Sequence, residues 1–342
     1  MRSRPNWIKR HKILLIVLII IIVVVISSFF VSFNKPRIAW GVTFSQPYAQ
    51  YELGLDWQKT YLAILDDLKV DHIRLSAYWN DIEIKKGVYD FTNLDWQINE
   101  ANKRQVKIIL AVGRRLPRWP ECHDPNWVSS TPRIEVENRQ LSFVEAVVKR
   151  YQNNPNIIYW QVENEPLLST FGVCPQPDKN FFKKEIKLVK SLVNKPILVT
   201  DSGELSTWVP IALVGGDILG STLYRVVHNS TIGYWHWFLP PAYYYLKAEG
   251  IKIISPVQKV IVAELQAEAW HKQYSNLSQM TLDEYFESMS LEQFKSNIKF
   301  TKRAGFDEAY LWGVEWWYFM KEKRSYDGYW QEAKTLWPQA KQ

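Results

Sequence analysis

Two periods alternate along the chain. Short, almost wholly apolar runs of strand length are each followed by a longer stretch whose apolar residues recur every three or four positions. The short runs are RIAWGVTF (37–44), HIRLSAYW (72–79), VKIILAV (106–112), NIIYWQV (156–162), PILVT (196–200), DILGSTLY (217–224), KVIVAEL (259–265) and AYLWGV (309–314). Between them, Trp57, Tyr61, Leu65 and Leu68 form one helical stripe. Val144, Val147, Val148 and Tyr151 form a second, and Phe182, Ile186, Val189 and Val193 a third. One further run, Ile13 to Phe33, is far longer than any strand, and its only polar residues are Ser27, Ser28 and Ser32.

Strands separated by helical crossovers pair in parallel. Eight such units in the roughly 250–300 residues typical of the fold predict a single (β/α)8 TIM barrel over 35–342. An open doubly wound sheet would want a Gly-rich turn after its first strand, and GVTFSQP has none. No Gly/Ser linker or low-complexity tract marks a second domain. The Ile13–Phe33 run has the length of a membrane-crossing helix, which needs ~20 apolar residues. Arg2, Arg4, Lys9, Arg10 and Lys12 precede it without an acid. The expectation is a basic cytoplasmic tail (1–12), a transmembrane signal anchor (13–33) and a barrel held outside the cell at the membrane. A cleaved signal peptide would have a shorter apolar core and a small-residue cleavage site; in that case the barrel is secreted.

In barrels of this type the active site lies at the C-terminal ends of the strands. The fourth apolar run ends in Glu163, Asn164 and Glu165, locked by Pro166, and the seventh ends in Glu264. Ionised carboxylates are costly to bury without partners, so this placement points to chemistry. Two carboxyls facing across a mouth match glycosidic bond cleavage, in which one protonates the leaving oxygen and the other attacks the anomeric carbon or activates water. Glu163, two residues before Glu165, would face the same way on a regular strand and is the alternative acid. Glu268 is the alternative to Glu264. Arg74 lies between Ile73 and Leu75, where an unpaired guanidinium would be expensive, so a carboxylate partner is expected.

These elements form an ordered set. HIRLSAYWNDIEIKKGVYDFTNLD, WQVENEP, VIVAEL and AYLWGVEWW resemble the second-, fourth-, seventh- and eighth-strand patterns of the clan A glycoside hydrolases. That group includes family 5 cellulases and mannanases and related β-galactosidases and xylosidases. The resemblance implies Glu165 as general acid/base and Glu264 as nucleophile. It also implies Asn164 on the sugar 2-hydroxyl, Arg74 and Tyr224 supporting the nucleophile, and Trp312 as the floor under the sugar. A retaining β-glycoside hydrolase is expected, acting on a poly- or oligosaccharide through a covalent glycosyl-enzyme, with carboxyls ~5–5.5 Å apart. No metal or organic cofactor is implied. A transglycosylase using the same residues and a catalytically silent carbohydrate-binding barrel remain open. The histidine that many clan members carry after strand three or near strand six has no clear counterpart, since His123 and His228 match its position poorly.

Composition adds three points. Of 17 tryptophans, several fall in loops on the site's face; Trp79 and Trp270 join Trp312 as candidate sugar-stacking residues, although large aromatics are usually core. The net charge of +7 is concentrated in the tail: its five basic residues leave 37 Lys and Arg against 35 Asp and Glu, which argues against nucleic acid. The two cysteines, Cys122 and Cys174, lie in loops on one face, and spacing alone leaves their pairing open. The acceptor patterns at Asn229 and Asn276 carry no weight.

Overall fold

The computed structural model describes residues 6–270 and 277–337. Every one of the eight apolar runs coincides with a strand to within three residues at its ends: β1 (Ala39–Thr43), β2 (His72–Ser76), β3 (Lys107–Val112), β4 (Ile157–Val162), β5 (Ile197–Asp201), β6 (Ile218–Leu223), β7 (Lys259–Gln266) and β8 (Glu308–Trp312). All pair in parallel, and β1 meets β8 from Ala39 opposite Glu308 to Thr43 opposite Trp312, so the sheet closes. Near-continuous apolar strands result because both faces are covered. Ile109, Leu198, Ile218, Ile261 and Tyr310 fill the interior. Ile73, Ile108, Leu110, Trp160 and Val162 face the helices.

Three helices carry the stripes read from the sequence. The first turns from Trp57–Ala63 into a wider coil through Leu68. Arg133–Tyr151 buries Val144, Val147, Val148 and Tyr151. Lys179–Leu192 buries Phe182, Ile186 and Val189 and is capped by Asp178, whose carboxylate accepts from the N–H groups of Asn180 and Phe181. A two-stranded ribbon, Val226–Asn229 with Gly233–His236, rises after β6.

The N-terminal apolar run forms a helix, Asn6–Phe30, but the expected anchor is corrected. Among the described residues no helix is long and apolar enough to cross a membrane. The single-pass topology, the cell-membrane placement and the membrane partner lose their basis with it. The following chain instead docks on the barrel's lower end. Phe33 donates its N–H to the Arg303 carbonyl at 2.9 Å and stacks on Tyr245 with ring centres 3.8 Å apart. Of the glycosylation patterns, Asn229 ends the first ribbon strand, while Asn276 lies outside the described residues.

Candidate active site

The mouth is organised by Arg74, which is fully buried at the upper end of β2. Its Nε donates to Gln161 Oε1 at 2.7 Å and its Nη2 to Asn164 Oδ1 at 2.8 Å. Nη1 donates to Glu264 Oε1 at 3.0 Å and, more weakly, to the Ala263 carbonyl at 3.3 Å. One planar fork therefore spans β4 and β7, which lie three strands apart around the barrel. The other Glu264 oxygen accepts from the Tyr224 hydroxyl at 3.2 Å. The carboxylate partner expected of Arg74 is Glu264.

Strand alternation by itself would turn Glu264 away. Ile261 faces the barrel interior and Val262 the helices, so Ala263 should point in and Glu264 out. A register shift between Val262 and Leu265, present against both neighbouring strands, inserts a bulge there. A bulge re-aims the side chain that follows it, and Glu264 enters the mouth.

A similar break separates Glu163 from Glu165. Both have left-handed φ, 59° and 45°, so the regular-strand expectation that they point together fails. Glu163 turns behind the mouth. It accepts from the backbone N–H groups of Arg114 and Arg115 at 2.7 and 2.6 Å and from Gln140 Nε2 at 2.9 Å. The same Gln140 amide donates to Glu185 at 2.7 Å, and burial beside Glu163 pushes Glu185 well above the carboxylate range. Glu163 thus pins the loop after β3 to two helices. Gly113, at φ 132°, permits this, because a Cβ there would lie 2.3 Å from the Glu163 carboxylate.

Glu165 faces the mouth. Its backbone N–H donates to Thr200 Oγ1 at 2.9 Å, and its carboxyl accepts no hydrogen bond among the described residues. Burial, then the charges of Glu264, Glu121 and Asp201, raise its pKa well above that of an ordinary glutamate. Asn164 Oδ1 also accepts from Thr200 and Gln161, at 3.1 and 3.2 Å, so the amide nitrogen is the end left facing the mouth.

Trp312 is placed by Glu268, which accepts its indole N–H at 2.7 Å. Arg118 donates to both Glu268 and Glu315 and lies 4.2 Å from the Trp312 ring centre and 3.7 Å from that of Tyr48. Glu268 is therefore committed to positioning Trp312. Trp270 sits edge-on to Tyr224, 5.5 Å between ring centres, and Phe171 links it to the half-exposed Trp119. Trp79 is corrected: it is fully buried, stacked on Phe143 and donating its N–H to Glu83 at 2.6 Å, and presents no face to a ligand. The apolar lining of its helix interface, not the mouth, is what its large ring fills.

His123 is buried against Tyr78, and burial lowers its pKa to about 4. His228 packs on Tyr234 in the ribbon. Cys122 and Cys174 form a disulfide with Cα atoms 5.3 Å apart, tying the loop after β3 to the loop after β4. That loop brings in Arg115, Arg118 and Glu121, which the strand pattern had no means of marking, because their positions depend on a turn rather than on a period.

The closed eight-stranded parallel sheet is shared with solved glycoside hydrolases. GH5_18 from Streptomyces cattleya, solved with GlcNAc, superposes with a TM-score of 0.56 at 14% identity, covering 82% of this chain and 71% of that one. Xylanase 10B from Thermotoga petrophila RKU-1, solved with xylobiose, gives 0.54 at 13%, covering 81% and 82%. These likenesses establish the fold. In sequence, the beta-galactosidase BgaA of Clostridium cellulovorans is 25% identical over 195 residues, 51% of this chain but only 29% of that protein's length. No protein-family model matches the chain.

Proposed function

We propose that this protein is a retaining β-glycoside hydrolase working by double displacement. The observation that carries the reading is the Arg74 fork, which joins Glu264 to Asn164 while Tyr224 takes the second Glu264 oxygen. A carboxylate so held is oriented for attack, whereas burial and acidic neighbours raise the pKa of Glu165 and favour its protonated form. Two carboxyls with divergent environments are the requirement of this reaction.

Glu165 gives its proton to the glycosidic oxygen as Glu264 attacks the anomeric carbon. The C–O bond to the leaving sugar breaks, and an ester to Glu264 forms. Glu165, now a carboxylate, takes a proton from water, which attacks the same carbon and releases Glu264. Arg74 and Tyr224 stabilise the departing carboxylate in that second step, and Trp312 lines the sugar. Of the named relatives, one is a beta-galactosidase and two were solved with GlcNAc and xylobiose, which supports a carbohydrate substrate.

The test is turnover of a panel of aryl β-glycosides and β-linked polysaccharides by the full chain. Glu264→Ala and Glu165→Ala are assayed with and without azide. Azide products of opposite anomeric configuration from the two variants are expected. Undiminished turnover by Glu264→Ala would overturn the assignment.

A further inference from the structure

The loop after β3 does more than close over the site. Its backbone doubles back: Leu116 donates to the Glu121 carbonyl and Glu121 to the Arg118 carbonyl, both at 2.8 Å, and Arg115 bridges to Cys122. Arg118 and Glu121 take left-handed φ values of 85° and 73°. The disulfide fixes the residue after Glu121, and Gly172 presses from the other side, since a Cβ there would lie 2.8 Å from the Glu121 side chain. The result is a third glutamate in the mouth, 4% exposed.

Its surroundings are those of a ligand-facing group. Asn164 Nδ2, the amide end not used to fix Asn164 itself, lies 3.4 Å from Glu121 Oε2. Arg115 Nε lies 3.9 Å from the same oxygen and is buried without a hydrogen-bond partner among the described residues. Among the described residues, no closer polar contact holds this carboxyl. It faces Glu264 from β7, Asn164 and Glu165 from β4, Arg74 from β2, and Arg115 from its own loop. Burial first, and then the Glu264 charge, raise its pKa to about 8, against the pull of Arg115, Asn164 and Arg74. At neutral pH it is a carboxylic acid, able both to donate and to accept.

We propose that Glu121 is a substrate-binding residue: with the Asn164 amide it forms a two-sided clamp for the 2-hydroxyl of the sugar being cleaved. The hydroxyl bridges the adjacent pair from the mouth side, accepting from Asn164 Nδ2 and exchanging a second hydrogen bond with the Glu121 carboxyl. A site that hydrogen-bonds a substrate hydroxyl rejects the analogue that lacks it, because the buried polar groups are left unpaired. The clamp therefore selects neutral sugars with a free 2-hydroxyl.

This inference rests on the glycosidase reading, and its test separates the two. Wild type, Glu121→Ala and Glu121→Gln are assayed on aryl β-glycosides and their 2-deoxy counterparts, with thermal unfolding reporting the fold. Glu121→Ala is expected to lose roughly 10- to 100-fold in kcat/KM on the parent glycoside, but less than about 3-fold on the 2-deoxy one, the scale of a hydrogen bond to a buried polar group. Glu121→Gln, which keeps a donor and an acceptor, should retain most of the discrimination. Equal losses on both substrates would overturn the clamp and leave Glu121 a structural residue. If wild type cleaves no glycoside, the glycosidase reading falls, and calorimetric binding of methyl β-glycosides against their 2-deoxy forms decides the clamp. Binding that ignores the 2-hydroxyl, or its complete absence, overturns it.

Discussion

Arg74→Lys isolates the geometry of the mouth from its charge. The guanidinium makes three hydrogen bonds of 2.7–3.0 Å to side chains on β4, its following turn and β7. A lysine ammonium on a straighter stem reaches Glu264 and keeps the charge there, but it has no planar fork to serve Gln161 and Asn164 as well. Two bonds from a charged, fully buried donor are lost. Each contributes ~1.5–3 kcal/mol, so the variant should unfold ~3–6 kcal/mol more easily, the scale of breaking a buried ionic network. At ~2–4 °C per kcal/mol for domains of this order, the melting temperature falls by roughly 6–24 °C. Chemical and thermal denaturation followed by circular dichroism measure the two. Activity should fall further than stability alone implies, because Asn164 and Glu264 lose their common anchor. An unchanged unfolding midpoint would refute the argument, since the fork would then contribute nothing beyond its charge.

Other consequences follow from single contacts. Glu165 titrates above the ordinary range when folded, so its contribution is fully present below the unfolded value of ~4.3 and is lost as pH rises toward the native one. Glu165→Gln should therefore match wild type in stability near pH 4 and exceed it increasingly toward pH 8 in pH-dependent denaturation. Glu163→Ala strips the acceptor from two backbone N–H groups and Gln140, and a loss of ~2–4 kcal/mol in the same measurement is expected from unpaired buried donors. Trp79→Ala should cost ~3–5 kcal/mol as a core truncation. Trp270→Ala should instead raise KM with a much smaller shift in melting temperature; the reverse pattern would exchange their roles.

How much of this was legible beforehand differs by element. All eight strands could be read because a buried parallel strand requires a continuous apolar run, and that requirement is local. Glu264 could be placed at a strand end because it directly ends such a run, Glu165 because it lies three residues beyond one, and the ion pair of Arg74 because a charge between Ile73 and Leu75 demands a partner. Glu163 was legible as a residue but not as a role: its direction depends on two left-handed φ values and on the Gly113 gap, none of which alternation encodes. Trp79 was misplaced for a related reason, since an indole at the end of β2 suits both a mouth and a helix interface, and only Phe143 and Glu83 decide which.

Period, length and residue type along the chain thus determined the barrel and the strand ends that carry its carboxyls, because each depends on burial patterns within a few residues. Tertiary structure decided the rest: the bulge that turns Glu264 inward, the closing of Cys122 on Cys174, and the folded-back loop that brings Arg118 and Glu121 to the mouth. Those outcomes depend on contacts between segments 40 to 197 residues apart in this chain, and such contacts leave no period in sequence because they exist only once the sheet has closed.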